Sequence, residues 1–304
     1  MKTRELSRRE FIAGAAAVAG GVLLSPVMAH AAAGVTKRTA VDQVTLGKTG
    51  IKLSRLGVGT GSKSGSVQRA LGHDGFNRLI RYAYDQGITY IDTAQAYQTH
   101  PYVGEAIKGL PREKLFIQSK MGGVPEKPLE MLDQYRKDLG VEYIDSVLVH
   151  CTTVAKWDDE RKRVLDALQE AKDKKIIRAH GVSCHSLPAL KRAVELDWVD
   201  VHLVRINAQG TAMDTPAESV GARSDASNVP PVVEQLKLMR EKKHGVIGMK
   251  LIGDGAFVNA EDREKAIRFV MQSDVTDAVV IGFKSTAEID EAIARINSAL
   301  AVTA

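Results

Sequence analysis

Short hydrophobic segments alternate with longer amphipathic segments along most of this chain. The hydrophobic segments have the length and composition of buried strands, whereas the amphipathic ones place apolar residues at helical spacing. The pattern predicts eight strands, at Leu56–Thr60, Ile88–Asp92, Leu115–Lys120, Ile144–His150, Ile177–Ser183, Val199–Asn207, Gly245–Lys250 and Ala278–Ile281. It also predicts a helix after each strand, at Phe76–Gln86, Tyr102–Leu110, Leu129–Leu139, Asp158–Lys174, Leu187–Leu196, Val232–Lys242, Ala260–Met271 and Ala287–Leu300.

Eight strand–helix units with mostly short connections predict an α/β fold, a (β/α)8 TIM barrel, rather than an open doubly wound sheet. No Gly-x-Gly-x-x-Gly follows the first strand, so the usual Rossmann fingerprint is missing. A short hairpin at Val44–Ser54, with its turn at Gly47–Gly50, is expected to close the bottom of the barrel. The long segment Ala208–Val229 lacks periodicity, and we expect it to form a flexible lid over the rim.

The first residues are organised like an export signal. Arg8 and Arg9 precede an Ala- and Gly-rich apolar run, and Ala29-His-Ala31 supplies small residues at cleavage spacing. This arrangement resembles a bacterial twin-arginine signal, although the residues also allow an ordinary Sec signal or an uncleaved anchor. We expect export to the periplasm by the twin-arginine machinery, with membrane contact only during export. The predicted signal peptide, extension and barrel occupy residues 1–31, 32–43 and 44–304.

Composition narrows the function only slightly. The 304 residues suffice for one large core, and 44% hydrophobic with 26% charged residues is ordinary for a globular protein. The net charge of +5 includes the basic leader, and the other basic runs fall on one amphipathic helix, so nucleic acid binding is not expected. Two free thiols are favoured for Cys151 and Cys184, although a bridge between them is left open. The histidines form no His-x-His or His-Glu-x-x-His pair, so no metal site is expected.

Four ionisable residues follow successive predicted strands: Asp92, Tyr97, Lys120 and His150. In a parallel barrel these strand ends share one rim, where barrel enzymes carry out their chemistry. A lysine that ends an apolar strand needs an anionic partner, and we expect Asp92 to pair with Lys120. The ammonium would then lower the pKa of the Tyr97 phenol and make it a better general acid. Taken singly, each residue also has a purely structural interpretation.

The set Asp92-Thr-Ala-x-x-Tyr97, Lys120 and His150 resembles the catalytic tetrad of the aldo-keto reductase family, from about Val44 to the end of the chain. The resemblance implies reduction of a small aldehyde or ketone to an alcohol, with NADP(H) favoured over NAD(H). Tyr97 would give the proton and His150 would orient the substrate oxygen. The residues expected to contact the cofactor are Gly59, Thr60, Ser183, Cys184, Asn207, Lys250, Gly282, Lys284, Ser285 and Glu291.

The residues at the start of the last helix are the ones expected to determine the cofactor preference. Ser285 and Glu288 are spaced as a capping box, and helix N-termini bind phosphate through backbone N–H groups. The resemblance makes Lys284 and Ser285 contacts for the adenosine 2′-phosphate, and Glu291 a contact for the adenine. A serine that merely caps the helix is compatible with either cofactor.

The chain also departs from the family pattern. Glu288 stands about where the family often has arginine, and Ala292 where it has asparagine. Cys184 stands where relatives have asparagine, and Leu203 or His202 where they have glutamine. Lys250 takes the place of a serine, and Gly61 that of a tryptophan. These changes bear on cofactor affinity and on the 2′-phosphate preference more than on proton transfer.

Two other functions are compatible with a lysine at a barrel rim. A Schiff-base lyase would use Lys120 to attack a carbonyl, with Asp92 or Tyr97 moving protons. A non-catalytic barrel would bind the nucleotide without oxidising it. Covalent trapping of a carbonyl substrate on Lys120 distinguishes the first, and cofactor binding without turnover distinguishes the second.

Overall fold

A computed structural model describes residues 38–301, so the predicted signal peptide lies outside the described residues, as does the first part of the predicted extension. Eight parallel strands close into a barrel in chain order, and a separate two-stranded antiparallel hairpin precedes them. The hairpin strands are β1 and β2, at Gln43–Thr45 and Lys52–Ser54. The barrel strands β3 to β10 are Leu56–Gly59, Tyr90–Asp92, Phe116–Met121, Ile144–Thr152, Ile177–Cys184, Val201–Arg205, Gly245–Met249 and Ala278–Gly282.

Helices connect the barrel strands and surround them, as the (β/α)8 prediction requires, and that prediction is confirmed. The helices α1 to α10 are Ser66–Arg69, Gly72–Asp85, His100–Ile107, Pro128–Leu139, Trp157–Glu160, Lys162–Asp173, Leu187–Glu195, Val229–Glu241, Ala260–Ser273 and Thr286–Ala301. The predicted helix Asp158–Lys174 is divided in two at Arg161, whose φ of −103° and ψ of 10° interrupt the helical backbone. The turn α1 has no counterpart among the predicted elements.

Successive residues of each barrel strand contribute to two different hydrophobic clusters. In β4, Tyr90 packs with Phe116 and Leu148 inside the barrel, whereas Ile91 packs in the layer between the strands and the helices. This division follows from the two-residue repeat of a strand, which turns alternate side chains to opposite faces. Asp92, two residues after Tyr90, therefore faces the barrel interior at the strand's carboxyl end.

The hairpin lies against the amino-terminal ends of the last strands, which confirms its predicted place at the bottom of the barrel. Leu46 and Leu53 are fully buried in the inner cluster. Gly47 donates its N–H to Asp277 Oδ2 at 3.1 Å, at the start of β10. Gly47 has a φ of +48°, and a Cβ there would lie 2.3 Å from Gly245 N, so only glycine fits this close approach.

The long connection after β8 is anchored along its first part, which differs from the expected flexible lid. Met213 and Asp214 are fully buried, and the side chain of Asn207 donates to Thr211 O and accepts from Thr211 N. Gly210 approaches the backbone of Asp225 so closely that a Cβ would lie 1.9 Å from its carbonyl oxygen. The stretch from residue 216 to 227 is largely exposed.

None of the helices among residues 38–301 is long and apolar enough to cross a membrane.

Candidate active site

Asp92 and Lys120 form a buried ion pair at the carboxyl-terminal rim of the barrel. Lys120 Nζ lies 2.6 Å from Asp92 Oδ1 and 2.7 Å from Oδ2, and it donates to Thr93 O at 2.9 Å. Asp92 Oδ1 also accepts from the amide of Gln118 at 2.9 Å. The side chain of Lys120 is only 1% exposed, so the carboxylate is what makes a charge at this depth tolerable.

The Lys120 ammonium is fully occupied by these contacts, and this changes the expected role of the lysine. An ammonium has three N–H donors, and here they face the two Asp92 oxygens and the Thr93 carbonyl. The ammonium instead lies 4.9 Å from the centre of the Tyr97 ring. Burial, and secondarily the Asp92 carboxylate, raises the pKa of the Tyr97 phenol well above 10. The expected lowering of this pKa is therefore not found, because burial outweighs any effect of an ammonium that is already paired with Asp92.

Tyr97 is held by the loop that follows β4. It ends a single 3-10 turn, Gln95–Tyr97, and the next residue, Gln98, has a left-handed φ of 56°. The Tyr97 carbonyl accepts from Arg69 Nη1. Beneath the ring lies Gly61, where a Cβ would come within 2.4 Å of Tyr97 Cε2. The missing side chain at Gly61 thus provides the space that the phenol occupies.

Three buried threonines fix the base of the same loop. Thr99 Oγ1 lies 2.8 Å from Thr60 Oγ1 and 2.9 Å from Thr93 Oγ1. Thr60 Oγ1 also donates to the Asp92 carbonyl at 3.0 Å. This chain of hydroxyls ties the ends of β3 and β4 to the start of α3, and it therefore sets the position of Tyr97 relative to Asp92.

His150 completes the group on the opposite side of the phenol. Its Nε2 lies 3.4 Å from the Tyr97 hydroxyl, and the two rings meet edge to face with centres 5.5 Å apart. Burial, reinforced by the Lys120 charge, lowers the pKa of His150 to about 3, so the imidazole is neutral over the physiological range. The next residue, Cys151, has a φ of 60° and lies where the pairing between β6 and β7 is irregular. The four predicted residues thus lie together on one rim.

A cavity of about 630 Å³ is lined by Asp92 and Tyr97, but not by Lys120 or His150, and it extends to the start of the last helix. Asp92 and Tyr97 line one end, and Lys284, Glu288 and Glu291 line the other. The volume lies within the range of cofactor sites, roughly 300–1,000 Å³. Five of the predicted cofactor residues line it: Gly59, Lys250, Gly282, Lys284 and Glu291.

The other five predicted cofactor residues do not line this cavity. Ser183 is buried, with its Oγ 3.4 Å from His185 Nε2. Cys184 packs in the outer hydrophobic layer, and its Sγ accepts from Thr152. The remaining three serve the backbone: Thr60 in the threonine chain, Asn207 in the connection after β8, and Ser285 as an acceptor for the Glu288 N–H.

The segment after β9 forms a wall of the cavity that the sequence reasoning missed. Residues 251–258 carry no hydrophobic period, so the pattern assigned them to neither a strand nor a helix. Two arginines were also missed, Arg263 and Arg295, both of which line the cavity and contact Glu291 Oε1 at 2.8 Å. The glycines of Gly253-Asp-Gly255 were the available signal, since such residues permit a tight path beside a ligand.

A second buried polar cluster lies at the rim beside β7 and β8. Arg205 contacts His185 Nδ1, and its Nε lies 3.4 Å from Asp214 Oδ1. Burial raises the pKa of Asp214 to about 7, although Arg205 opposes this rise. No feature of the sequence pattern pointed to this group, because Asp214 comes from the aperiodic connection.

Within residues 38–301, no group of three or more His, Cys, Asp or Glu side chains is arranged to hold a metal ion. Cys151 and Cys184 are both free thiols.

Comparison with known proteins gives the family. A model of the Aldo/keto reductase family matches residues 55–296, which is most of the chain. The chain belongs to the Aldo/keto reductase family. Members of this family are oxidoreductases that use NAD(P)H.

Curated relatives of this reductase-family chain match over part of their length. The Glycine max protein named "Probable aldo-keto reductase 1" is 31% identical over 184 residues, covering 52% of this chain and 51% of the relative. The Escherichia coli NADH-specific methylglyoxal reductase is 26% identical over 204 residues, covering 57% and 61% respectively. The chain thus spans about half the length of the curated relatives it matches.

Solved structures extend the likeness of the fold over most of the chain. The Bombyx mori aldo-keto reductase AKR2E4 in complex with NADP has a TM-score of 0.62 and 18% identity, covering 87% of this chain and 93% of that one. AKR11C1 from Bacillus halodurans, in its holo form, has a TM-score of 0.66 and 19% identity, covering 87% and 96%.

Proposed function

We propose that this chain reduces aldehyde or ketone carbonyls to alcohols with a nicotinamide cofactor, and that Tyr97 is the general acid. The observation that carries the proposal is the placement of the Tyr97 hydroxyl at one end of the long cavity, 3.4 Å from a neutral His150. A carbonyl oxygen beside this pair would accept hydrogen bonds from two neutral donors. Asp92 and Lys120 neutralise each other behind them and hold the phenol ring from one side.

The residues fit the cofactor because one cavity joins the proton donor to the N-terminus of α10. When bound, the cofactor supplies the hydride that goes to the carbonyl carbon. Gly59 and Gly282 line the cavity where β3 and β10 end, and Lys284 and Glu291 would hold the adenosine end. Because its pKa is raised, the phenol stays protonated and can give its proton to the developing alkoxide.

The proposal is tested by following oxidation of NADH and NADPH by the purified chain with a panel of small aldehydes and ketones. We expect carbonyl-dependent loss of the reduced cofactor's absorbance and formation of the matching alcohol. Tight cofactor binding without turnover on any carbonyl would favour the non-catalytic barrel and contradict the proposal.

The Schiff-base alternative is disfavoured by the contacts of Lys120. A nucleophilic amine must be neutral and reach its substrate, whereas Lys120 is almost fully buried and donates to three oxygens. We expect borohydride to trap no carbonyl compound on Lys120, and a trapped adduct would revive this alternative.

The choice between the two cofactors is part of the proposal. The sequence predicts NADPH through Lys284 and Ser285, and AKR2E4 was solved with NADP, whereas another relative is named as NADH-specific. Relatives therefore support either cofactor.

We also propose export through the twin-arginine route, on the ground of Arg8 and Arg9 in the leader. Replacing both by lysine should keep the full-length chain in the cytoplasm of a bacterial host. Export of the doubly substituted chain at the wild-type level would contradict this route.

A further inference from the structure

The N-terminus of α10 already holds an anion, which is the carboxylate of Glu288. Glu288 Oε2 accepts the backbone N–H of Lys284 at 2.9 Å, and Glu288 Oε1 lies 3.7 Å from Lys284 Nζ. In return, the Ser285 hydroxyl accepts the N–H of Glu288 at 3.3 Å. The backbone N–H of Lys284, which a 2′-phosphate would use, is therefore already taken by the Glu288 carboxylate, while Ser285 caps the helix backbone.

Glu288 lies at the cavity and not on a distant face of the helix. Lys284, Glu288 and Glu291 all line the end of the cavity opposite Tyr97. The Glu288 side chain is 36% exposed, so its carboxylate is open to whatever enters there. A cofactor phosphate at this helix would have to compete with the Glu288 carboxylate for the Lys284 N–H.

The two arginines at this end are largely committed to other partners. Arg263 donates from Nε to Glu291 and from Nη1 to the carbonyls of Phe257 and Val258. Arg295 donates from Nε to Glu291 and from Nη1 to Glu264. Around the whole cavity the charged lining residues nearly balance, with five cations against four carboxylates: Lys63, Lys250, Arg263, Lys284 and Arg295 against Asp92, Asp254, Glu288 and Glu291. The end of the cavity has no marked excess of positive charge.

We infer that Glu288 makes this site selective for a dinucleotide whose adenosine ribose carries a free 2′-hydroxyl, so that NADH is preferred over NADPH. This inference rests on the proposed function and specifies its cofactor. A carboxylate accepts hydrogen bonds from ribose hydroxyls, as an acidic residue does in many NAD sites. The same carboxylate repels a phosphate of like charge and withholds the helix N–H from it.

The test compares the dissociation constants of NADH and NADPH, measured by cofactor fluorescence on the full-length chain. For the wild type we expect NADH to bind about fivefold more tightly, the size of effect that one partly exposed charge supplies. Glu288→Gln should remove most of this difference, and Glu288→Arg should reverse it. The difference should also shrink as the salt concentration rises, because the repulsion is screened.

The matched control is Glu261→Gln, which removes an exposed carboxylate from the first turn of the neighbouring helix α9. It should leave the wild-type ratio unchanged. Equal or tighter binding of NADPH by the wild type, or a ratio that Glu288→Gln leaves unchanged, would overturn the inference and would point to Arg263 and Arg295 as phosphate ligands. In that case turnover with NADPH would still support the proposed function. Failure to bind either cofactor would contradict both the proposed function and this inference.

Discussion

At the scale of single residues, the absence of a side chain at Gly61 leaves the space that the Tyr97 ring occupies. A Cβ at this position would lie 2.4 Å from Cε2 and 2.5 Å from Cζ of the Tyr97 ring. We predict that Gly61→Ala displaces the phenol and lowers kcat by about 10- to 100-fold, since misplacement by about 1 Å is enough for such a loss. Gly122→Ala is the control, because nothing lies within 4 Å of a Cβ at Gly122. Wild-type kcat in Gly61→Ala would show that the ring position does not matter.

The protonation states of Tyr97 and His150 predict a flat pH profile for carbonyl reduction. Burial keeps the pKa of Tyr97 well above 10 and lowers that of His150 to about 3. The phenol is therefore protonated, and the imidazole neutral, from about pH 5 to about pH 9. We expect kcat for reduction to be nearly constant over that range. A fall in kcat above about pH 8 would indicate a phenol whose pKa is lowered.

Residue identities and the Asp92–Lys120 ion pair were predictable here, but the direction of the Tyr97 pKa shift was not. The order Asp92, Tyr97, Lys120 and His150 at strand ends is readable from the sequence. Which group receives each lysine N–H depends on distances of a few tenths of an ångström between strands. The sequence suggested that Lys120 would act on the phenol, whereas the structure gives its three donors to Asp92 and Thr93.

At the scale of elements, the connection after β8 depends on one glycine. Gly210 has a φ of +76°, and a Cβ there would lie 1.9 Å from Asp225 O. We predict that Gly210→Ala lowers the free energy of unfolding by about 2 kcal/mol and speeds proteolysis between residues 216 and 225. Gly221→Ala, in the exposed part of the same connection, should change stability by less than about 0.5 kcal/mol. Equal proteolysis of the two variants would contradict the anchoring.

Periodic elements were predicted well, and aperiodic ones poorly. Strands and helices of the barrel follow from the spacing of apolar residues, because burial on one or both faces leaves a repeat in the sequence. The cavity wall at residues 251–258 and the buried start of the connection after β8 are held by individual polar contacts and tight backbone approaches. Such contacts leave no repeat, so the sequence predicted a flexible lid where the chain is anchored.

At the scale of the whole molecule, several buried histidines make stability depend on pH. Burial lowers the pKa of His100 and His180 to about 4, and that of His202 falls well below its usual value. His202 Nε2 lies 2.9 Å from His244 Nδ1, a pair that a second proton would break. Between about pH 6.5 and about pH 4 the unfolded chain therefore binds more protons than the folded one. The stability that the neutral histidines contribute is present above about pH 6.5 and is lost as the pH falls to about 4.

We predict that the free energy of unfolding falls between about pH 6.5 and about pH 4, by roughly 1.4 kcal/mol per pH unit for each histidine that stays neutral in the fold, and that the urea midpoint falls with it. Equilibrium unfolding followed by circular dichroism checks this. The control is His73→Gln, which replaces an exposed histidine. Its free energy of unfolding should depend on pH as that of the wild type does. A midpoint that is constant across this range would mean that these histidines are protonated in the folded protein.

In the proposed carbonyl reduction, the Tyr97 hydroxyl gives the proton to the developing alkoxide. Tyr97→Phe removes the hydroxyl and keeps the ring over Gly61 and beside Lys120. The decisive measurement is single-turnover oxidation of the bound reduced cofactor by an aldehyde, together with the cofactor's dissociation constant. We predict an unchanged dissociation constant and a hydride-transfer rate lower by about 100- to 10,000-fold. A rate close to that of the wild type, with the cofactor still bound, would contradict the claim.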